Sequence, residues 1–497
     1  MNIPKEADYI VVGGGAAGCI IARRLADALD DHILLIEAGK SDEGDPAATD
    51  LSRLDDQDDS YHWGYHAKPT HLSDKLMDYA RARMLGGCAN HNDCAFLKPP
   101  PEDFDEWVKL GAKGWSYENL EPAFKAIENR LYIESAPQGN ALSQAFIDAN
   151  LEQGLEYLDF REQIKPGAGW FPLNAKSALR QSSSIGYLHP LKSLPENLEV
   201  LTNTQVKTLV MDDSTAVAVE TTRGRITARR EIILCAGSIN SPQLLILSGI
   251  GPGSDLQSMN IPVIQSLDGV GKNLSDHVAA NIACDLKVPP PPYRLTPCEA
   301  TALIKIDRAA ANPDILFHFV LRLRDKYIDD SIFSDINHGI KLSPNVARPK
   351  SRGSLQLISP DYRDKPQIDL NYLSDAEGYD QRLLIAGLKY ARKLTSSESL
   401  KSYIKREAFP GIDVVEDSEW IDYIHQTCET VYHPVGTCKA GSVKDPTAVV
   451  DENLRVIGVD QLRVADASIF PAMVSVNICN TVMAVAEQAS RLIIAGK

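Results

Sequence analysis

The chain has 497 residues and a formal net charge of −16, from 51 basic and 67 acidic side chains. That balance excludes nucleic acid and anionic membranes as electrostatically attracted partners, and no run of about 18 apolar residues offers a transmembrane helix. The length exceeds what one core ordinarily holds, so two domains are expected.

Residues 9–12 predict a short β-branched strand, and Gly13, Gly15 and Gly18 follow in G-x-G-x-x-G spacing. An Ala/Ile/Leu-rich helix runs to about Leu29, and a second strand over residues 32–36 ends at Glu37. Each part has a physical task in dinucleotide binding. One glycine permits the tight turn, one lets a pyrophosphate approach the backbone, and one lets helix and strand pack closely. The helix N-terminus offers N–H groups and a positive dipole end to the phosphates, and the carboxylate can accept ribose hydroxyls. The strand begins so early that no signal peptide is expected. Nine cysteines without regular spacing predict reduced thiols, hence a cytoplasmic protein.

His62, His66 and His71 follow the acidic stretch 55–59, but their spacing fits no zinc pattern, and no metal site is expected. Residues 231–236 predict a strand ending at Gly237. Gly249, Gly251 and Gly253 imitate a second fingerprint but follow a helical stretch, so they read as a loop. With one nucleotide site, electrons enter from a substrate and leave to oxygen or a carrier. The proline run 289–292 predicts a connector, and residues 300–306, 315–321 and 353–358 predict sheet strands. Residues 375–394 have helical periodicity, 462–464 predict a strand ending at Ala465-Asp466-Ala467, and 481–495 predict a final helix. The expected class is α/β (α+β overall): a Rossmann-like nucleotide domain interleaved with a substrate domain built on an antiparallel sheet with helices.

Five ordered motifs carry a family resemblance. They are Leu85-Gly86-Gly87-Cys88-Ala89-Asn90-His91-Asn92, the stretch from Gly237-Ser238-Ile239-Asn240-Ser241-Pro242 to Ser248-Gly249-Ile250-Gly251, residues 269–277, Val431-Tyr432-His433-Pro434-Val435-Gly436-Thr437, and residues 462–468. Over nearly its whole length the chain resembles the glucose–methanol–choline (GMC) oxidoreductases, FAD-dependent alcohol oxidases and dehydrogenases, and within them the choline oxidase-like members. The resemblance implies an FAD-binding domain over 1–155, 190–288 and 440–497, and a substrate domain over 156–189 and 289–439. It implies FAD contacts from Gly13, Gly15, Ala16, Ala17, Gly18, Glu37 and Ala38. Further contacts are implied from Leu85, Gly86, Gly87, Cys88, Asn90, His91 and Asn92, and from Val206, Ala236, Gly237, Asp466, Ala467 and Asn477. His91 holds the place of a histidine joined covalently to the flavin 8α carbon; the alternative is a ring that merely packs beside the isoalloxazine. A homodimer is a habit of the family.

An alcohol hydroxyl has a pKa far above neutrality, so moving hydride from its carbon to flavin N5 needs a base at the oxygen, a task suited to histidine. His433 matches the family's catalytic histidine. Asn477 matches the second catalytic position, with Asn480 as rival and Ile478 in place of the usual proline. Its amide would donate to the developing alkoxide. His318 falls where the choline-oxidising members carry a further histidine; a structural role on an apolar strand is the alternative. The expected reaction converts a primary alcohol to an aldehyde, with electrons passed to O2 or another acceptor. A cyanohydrin lyase using the same base is the alternative.

The departures bear on the substrate. Ala279 stands where choline-oxidising members have a glutamate, and Cys298 where they have a tryptophan. Carboxylates and aromatic faces hold quaternary ammonium groups, so both losses argue against choline. Asp93 replaces a small hydroxyl residue, and solvation, tuning of the flavin potential and binding of a polar substrate group are all open to it. Val431 holds the place of a valine that helps oxygen reach the flavin, which tilts the reading towards an oxidase.

Overall fold

Strand Glu6–Val12 is buried over its last four residues, between two parallel neighbours. The protein is described here from a computed structural model covering residues 3–73, 76–135, 139–292, 294–310, 312–323, 336 and 338–496. The first sheet runs in the order Leu198–Leu201, Ile33–Ile36, Glu6–Val12, Gly224–Leu234, Thr215–Thr221, Val206–Asp212. Its first four strands are parallel; the last three form an antiparallel meander. Strand Leu462–Val464 joins in parallel beside the end of Gly224–Leu234. The strand predicted over 231–236 therefore starts seven residues earlier. Its charged first half is largely solvent-exposed in the meander, and only Ile232, Ile233 and Leu234 form a fully apolar run.

Helix Gly18–Ala28 packs its Ile20, Ile21, Ala22 and Leu25 face into the core, and the last helix, Cys479–Ala495, lies against it. Arg24 clamps the pair. Its guanidinium makes a bidentate contact with Glu487 at 2.7–3.0 Å, and Tyr187 Oη donates to the same carboxylate at 2.6 Å. First and last helices thus pack together although more than 450 residues separate them in the chain.

The second sheet is antiparallel, in the order Ile404–Phe409, Ile282–Leu286, Gly339–Val346, Ile315–Val320, Ala300–Ile304, Gly167–Trp170. The short strand Val278–Ala279 bridges Gly339–Val346 to Glu429–Thr430. Gly339–Val346 is buried at every residue and was not among the predicted strands. Its apolar residues Ile340, Leu342 and Val346 alternate with Lys341, Ser343 and Asn345, which signals a strand, but Pro344 argues against a central one. Pro344 is accommodated beside Gly387 of helix Tyr379–Thr395, where no side chain competes for the space. Among the described residues no helix is long and apolar enough to cross a membrane, no group of His, Cys, Asp or Glu could hold a metal ion, and all nine cysteines are free thiols.

Candidate active site

Between the two sheets lies a cavity of about 400 Å³. At one end it is lined by Gly13, Gly15, Ala16 and Ala17, and by Glu37, Ala38 and Val206. The three fingerprint glycines have distinct surroundings. Gly13 has φ +101°, and a Cβ there would lie 2.5 Å from Cys235 O. A Cβ on Gly18 would run into Gly13 O, so that contact is the close helix–strand packing. On Gly15 a Cβ meets nothing nearer than Gly87 Cα at 4.0 Å and would stand in the cavity. A ligand can therefore reach the backbone at Gly15. Helix Gly18–Ala28 has no side-chain cap and no acidic residue in its first turn, and neither has helix Cys479–Ala495. Both leave N-terminal N–H groups and positive dipole ends to an anion. Glu37 is held by Gly14 N–H at 2.8 Å and Gly39 N–H at 2.7 Å. Burial nevertheless pushes its carboxyl up to about 7, and ribose hydroxyls donating to it would favour its ionised form. These residues fit the pyrophosphate and ribose of a dinucleotide.

Further along the cavity, Gln57 determines the state of His91. The Gln57 amide is 1% exposed and donates both hydrogens, to Ala47 O at 3.0 Å and Asn90 O at 2.9 Å. Its Oε1 is therefore the acceptor 2.9 Å from His91 Nδ1. In the neutral ring Nδ1 carries the hydrogen and Nε2 the lone pair.

At the opposite end two imidazoles, His433 and His318, converge on one amide, and a third, His277, backs His433. Asn477 Nδ2 lies 3.4 Å from His433 Nε2 and 3.3 Å from His318 Nε2. Burial lowers the pKa of His433 well below the ordinary histidine value, with His277 and His318 adding to the effect. Burial takes His318 down to about 3 and also lowers His277. All three rings are neutral at pH 7, so the hydrogen bonds decide their tautomers. His277 Nε2 faces two carbonyl oxygens, Ala347 O at 2.8 Å and Val474 O at 3.1 Å, and must donate. Its Nδ1 then accepts from His433 Nδ1–H at 2.8 Å, which leaves the His433 lone pair on Nε2, beside Asn477. The logic at His318 runs the other way. Asn345 Nδ2 donates to Leu316 O and to His318 Nδ1 at 2.9 Å, so His318 carries its hydrogen on Nε2. An acceptor nitrogen and a donor nitrogen thus stand within 3.4 Å of the same amide. Asn477 Oδ1 has no partner among the described residues and keeps hydrogen-bonding capacity for a ligand.

Asp276 anchors this cluster. It is 3% exposed, and its Oδ1 accepts His433 N–H at 2.8 Å. Its Oδ2 accepts the hydroxyls of Tyr79 and Tyr372, each at 2.8 Å, and of Thr430 at 2.5 Å. Tyr432 holds φ at +64°, uncommon for a non-glycine residue, and Arg81 bonds its carbonyl at 2.7 Å. The backbone before His433 is thereby held from both sides.

A family model described as GMC oxidoreductase matches residues 7–279, and its C-terminal counterpart matches residues 349–486. The chain belongs to the GMC oxidoreductase family. Choline oxidase of Arthrobacter globiformis is 35% identical to it, over 98% of this chain and 94% of its own. An oxygen-dependent choline dehydrogenase of Brucella anthropi is 33% identical, over 98% and 95%. Among solved structures, pyridoxine 4-oxidase from Mesorbium loti superposes with a TM-score of 0.88 at 29% identity, over 98% and 99% of the two chains. This GMC oxidoreductase is an FAD-dependent enzyme acting on CH–OH donors. The oxidases and dehydrogenases among its relatives support redox chemistry and lend nothing to the cyanohydrin-lyase reading.

The sequence-predicted residues of the GMC oxidoreductase divide by position. Gly87, Cys88, His91, Asn92, Ala236, Gly237, Asp466 and Ala467 line the cavity together with His318, His433 and Asn477. Leu85, Gly86, Gly18 and Asn90 stand behind its wall. Gly86 N–H bonds Gly14 O at 2.7 Å, and Asn90 Nδ2 bonds Asp42 at 2.7 Å and Leu85 O at 2.8 Å. The rival Asn480 is buried within the terminal helix and does not line the cavity. Among the residues of the site not singled out from the sequence are Gln57, Lys341 and Glu429, with Tyr79, Arg81, Tyr372 and Thr430. His277 was legible as part of a family motif, but nothing local signals that its ring supports another histidine.

Proposed function

We propose that this enzyme oxidises a primary alcohol to an aldehyde, with His433 as the base. The observation that carries the reading is the opposed pair of nitrogens, His433 Nε2 as acceptor and His318 Nε2–H as donor, flanking the Asn477 amide. An alcohol oxygen is at once a donor and an acceptor, so it satisfies both. FAD bound in the cavity supplies the hydride acceptor. His433 Nε2 takes the hydroxyl proton, and the Asn477 and His318 N–H groups hold the oxygen as negative charge develops on it. The uncapped start of helix Cys479–Ala495 favours negative charge at that end of the cavity. Electrons leave to O2 or another acceptor, and the free cysteines accord with a cytoplasmic site of action.

The test is anaerobic bleaching of the flavin by primary alcohols, beginning with choline and pyridoxine, the alcohols named for the relatives. Bleaching followed by recovery of colour and peroxide in air is the expected result. A flavin that stays yellow with every alcohol removes the reading, since a lyase leaves its flavin oxidised.

In this reading His91 Nε2, whose lone pair Gln57 holds in place, would bond the flavin 8α carbon, which would give up a C–H proton while the isoalloxazine takes the two electrons and passes them to O2. Acid-precipitated protein is expected to keep its yellow colour in the pellet, and the His91→Ala variant to release it. Gln57→Leu frees the tautomer, and more than half of its flavin should appear in the supernatant. Colour retained fully by Gln57→Leu argues against the Gln57 role, and a yellow supernatant from the unaltered enzyme argues against the bond.

A further inference from the structure

One wall of the cavity carries a charged pair that alcohol oxidation does not use. On strand Gly339–Val346, Lys341 and Ser343 line the cavity, and Asn345 on the same face bonds His318. In the register with Ile315–Val320, Ser343 stands opposite His318 and Lys341 opposite Val320. Lys341 is therefore one same-face step, roughly 7 Å along the strand, from the position that pairs with His318.

The Lys341 side chain is 5% exposed. Its sole partner among the described residues is Glu429 Oε1, at a long 3.4 Å, and Asn281 Nδ2 already bonds that oxygen at 2.9 Å. An ammonium has three N–H donors, and a buried cation with one distant partner is costly to hold. Glu429 has its own significance. It pairs directly opposite Ala279, the position where choline-oxidising relatives place a glutamate. The carboxylate lost from one strand is returned by its neighbour, but here an ammonium and an amide neutralise it. A quaternary ammonium would meet the Lys341 charge instead of an open carboxylate. An oxygen acceptor would take up the unpartnered donors of Lys341.

We propose that Lys341 selects the substrate: the alcohol carries, on its non-reacting part, an anionic or strongly accepting oxygen such as a carboxylate or phenolate, and choline-type cations are disfavoured. This rests on the reading of the cavity as an alcohol-oxidising site. The test uses the holoenzyme and anaerobic flavin reduction with matched pairs. These are 4-(hydroxymethyl)benzoate and 3-hydroxybenzyl alcohol against benzyl alcohol, glycolate against ethanol, and pyridoxine and choline as further probes. The unaltered enzyme should bind the oxygen-bearing member of a pair more tightly. Lys341→Met should weaken that member's apparent Kd by about tenfold or more, the value of a charged hydrogen bond. It should leave the limiting reduction rate within about threefold and the plain member unchanged, while choline improves. Glu429→Gln, which keeps the ammonium and removes its competitor, should tighten the oxygen-bearing member. If alcohols bleach the flavin but Lys341→Met discriminates within pairs as the unaltered enzyme does, or if choline is the preferred alcohol of the unaltered enzyme, this proposal falls alone. If no alcohol bleaches the flavin, the alcohol-oxidising reading falls and takes this proposal with it.

Discussion

His433→Ala is expected to slow anaerobic flavin reduction by about 10³-fold, within the range of general-base catalysis, while the protein keeps its FAD. The alcohol proton then meets no basic nitrogen in the His318–Asn477 cluster. His318 presents an N–H, and Asn477 is an amide with no basic nitrogen. His277 is turned away, its Nε2 bonded to Ala347 O and Val474 O. Burial keeps His433 neutral at pH 7, so the base form is present without any pH adjustment and its removal should be felt across the neutral range. The cofactor residues at the glycine-rich end lie outside this cluster, which is why bound flavin should survive. Added imidazole should recover part of the rate by entering the space the ring leaves. Reduction at the ordinary rate in the alanine variant would remove His433 from the reaction.

His277→Leu is expected to lower the reduction rate by about 10²-fold without touching substrate or flavin, because a base held in the wrong tautomer is not a base. His433 Nδ1–H loses its acceptor in this variant. The ring can then place its hydrogen on Nε2, where the substrate needs a lone pair. Some stability is also lost, about 1–3 kcal/mol, since the carbonyls of Ala347 and Val474 lose their donor. His277→Asn separates the two effects. An asparagine can accept from His433 through its oxygen and donate to a carbonyl through its nitrogen, so it should recover much of the rate. A merely structural histidine would give no such ordering, and equal rates in the leucine variant and the unaltered enzyme would discard the tautomer argument.

The opening strand, turn and helix were legible because their signals are local. Strand Glu6–Val12, helix Gly18–Ala28 and strand Ile33–Ile36 include or closely match the segments expected from β-branched runs, glycine spacing and apolar periodicity. Strand Gly339–Val346 was not legible in the same way. Its polar Lys341 and Ser343 line the cavity between the sheets, and its proline is tolerated through contact with a helix glycine far along the chain. The Ala279 substitution was only half of the local picture for the same reason. Read alone it deletes a carboxylate, whereas Glu429 stands opposite it across a strand pair 150 positions away. No local rule connects those positions.

The amino-acid sequence by itself determined the βαβ nucleotide unit, the family and the kinds of side chain available for the chemistry. Glycine geometry, strand and helix periodicity and motif spacing all act over a few residues. The tertiary structure alone decided which nitrogen of His433, His318 and His91 holds the lone pair, and what neutralises Glu429. A neutral imidazole has two tautomers of similar energy, and the choice between them belongs to hydrogen-bond partners delivered by other strands and loops: His277 to His433, Asn345 to His318, Gln57 to His91. Those partners exist only once the two sheets have closed on the cavity.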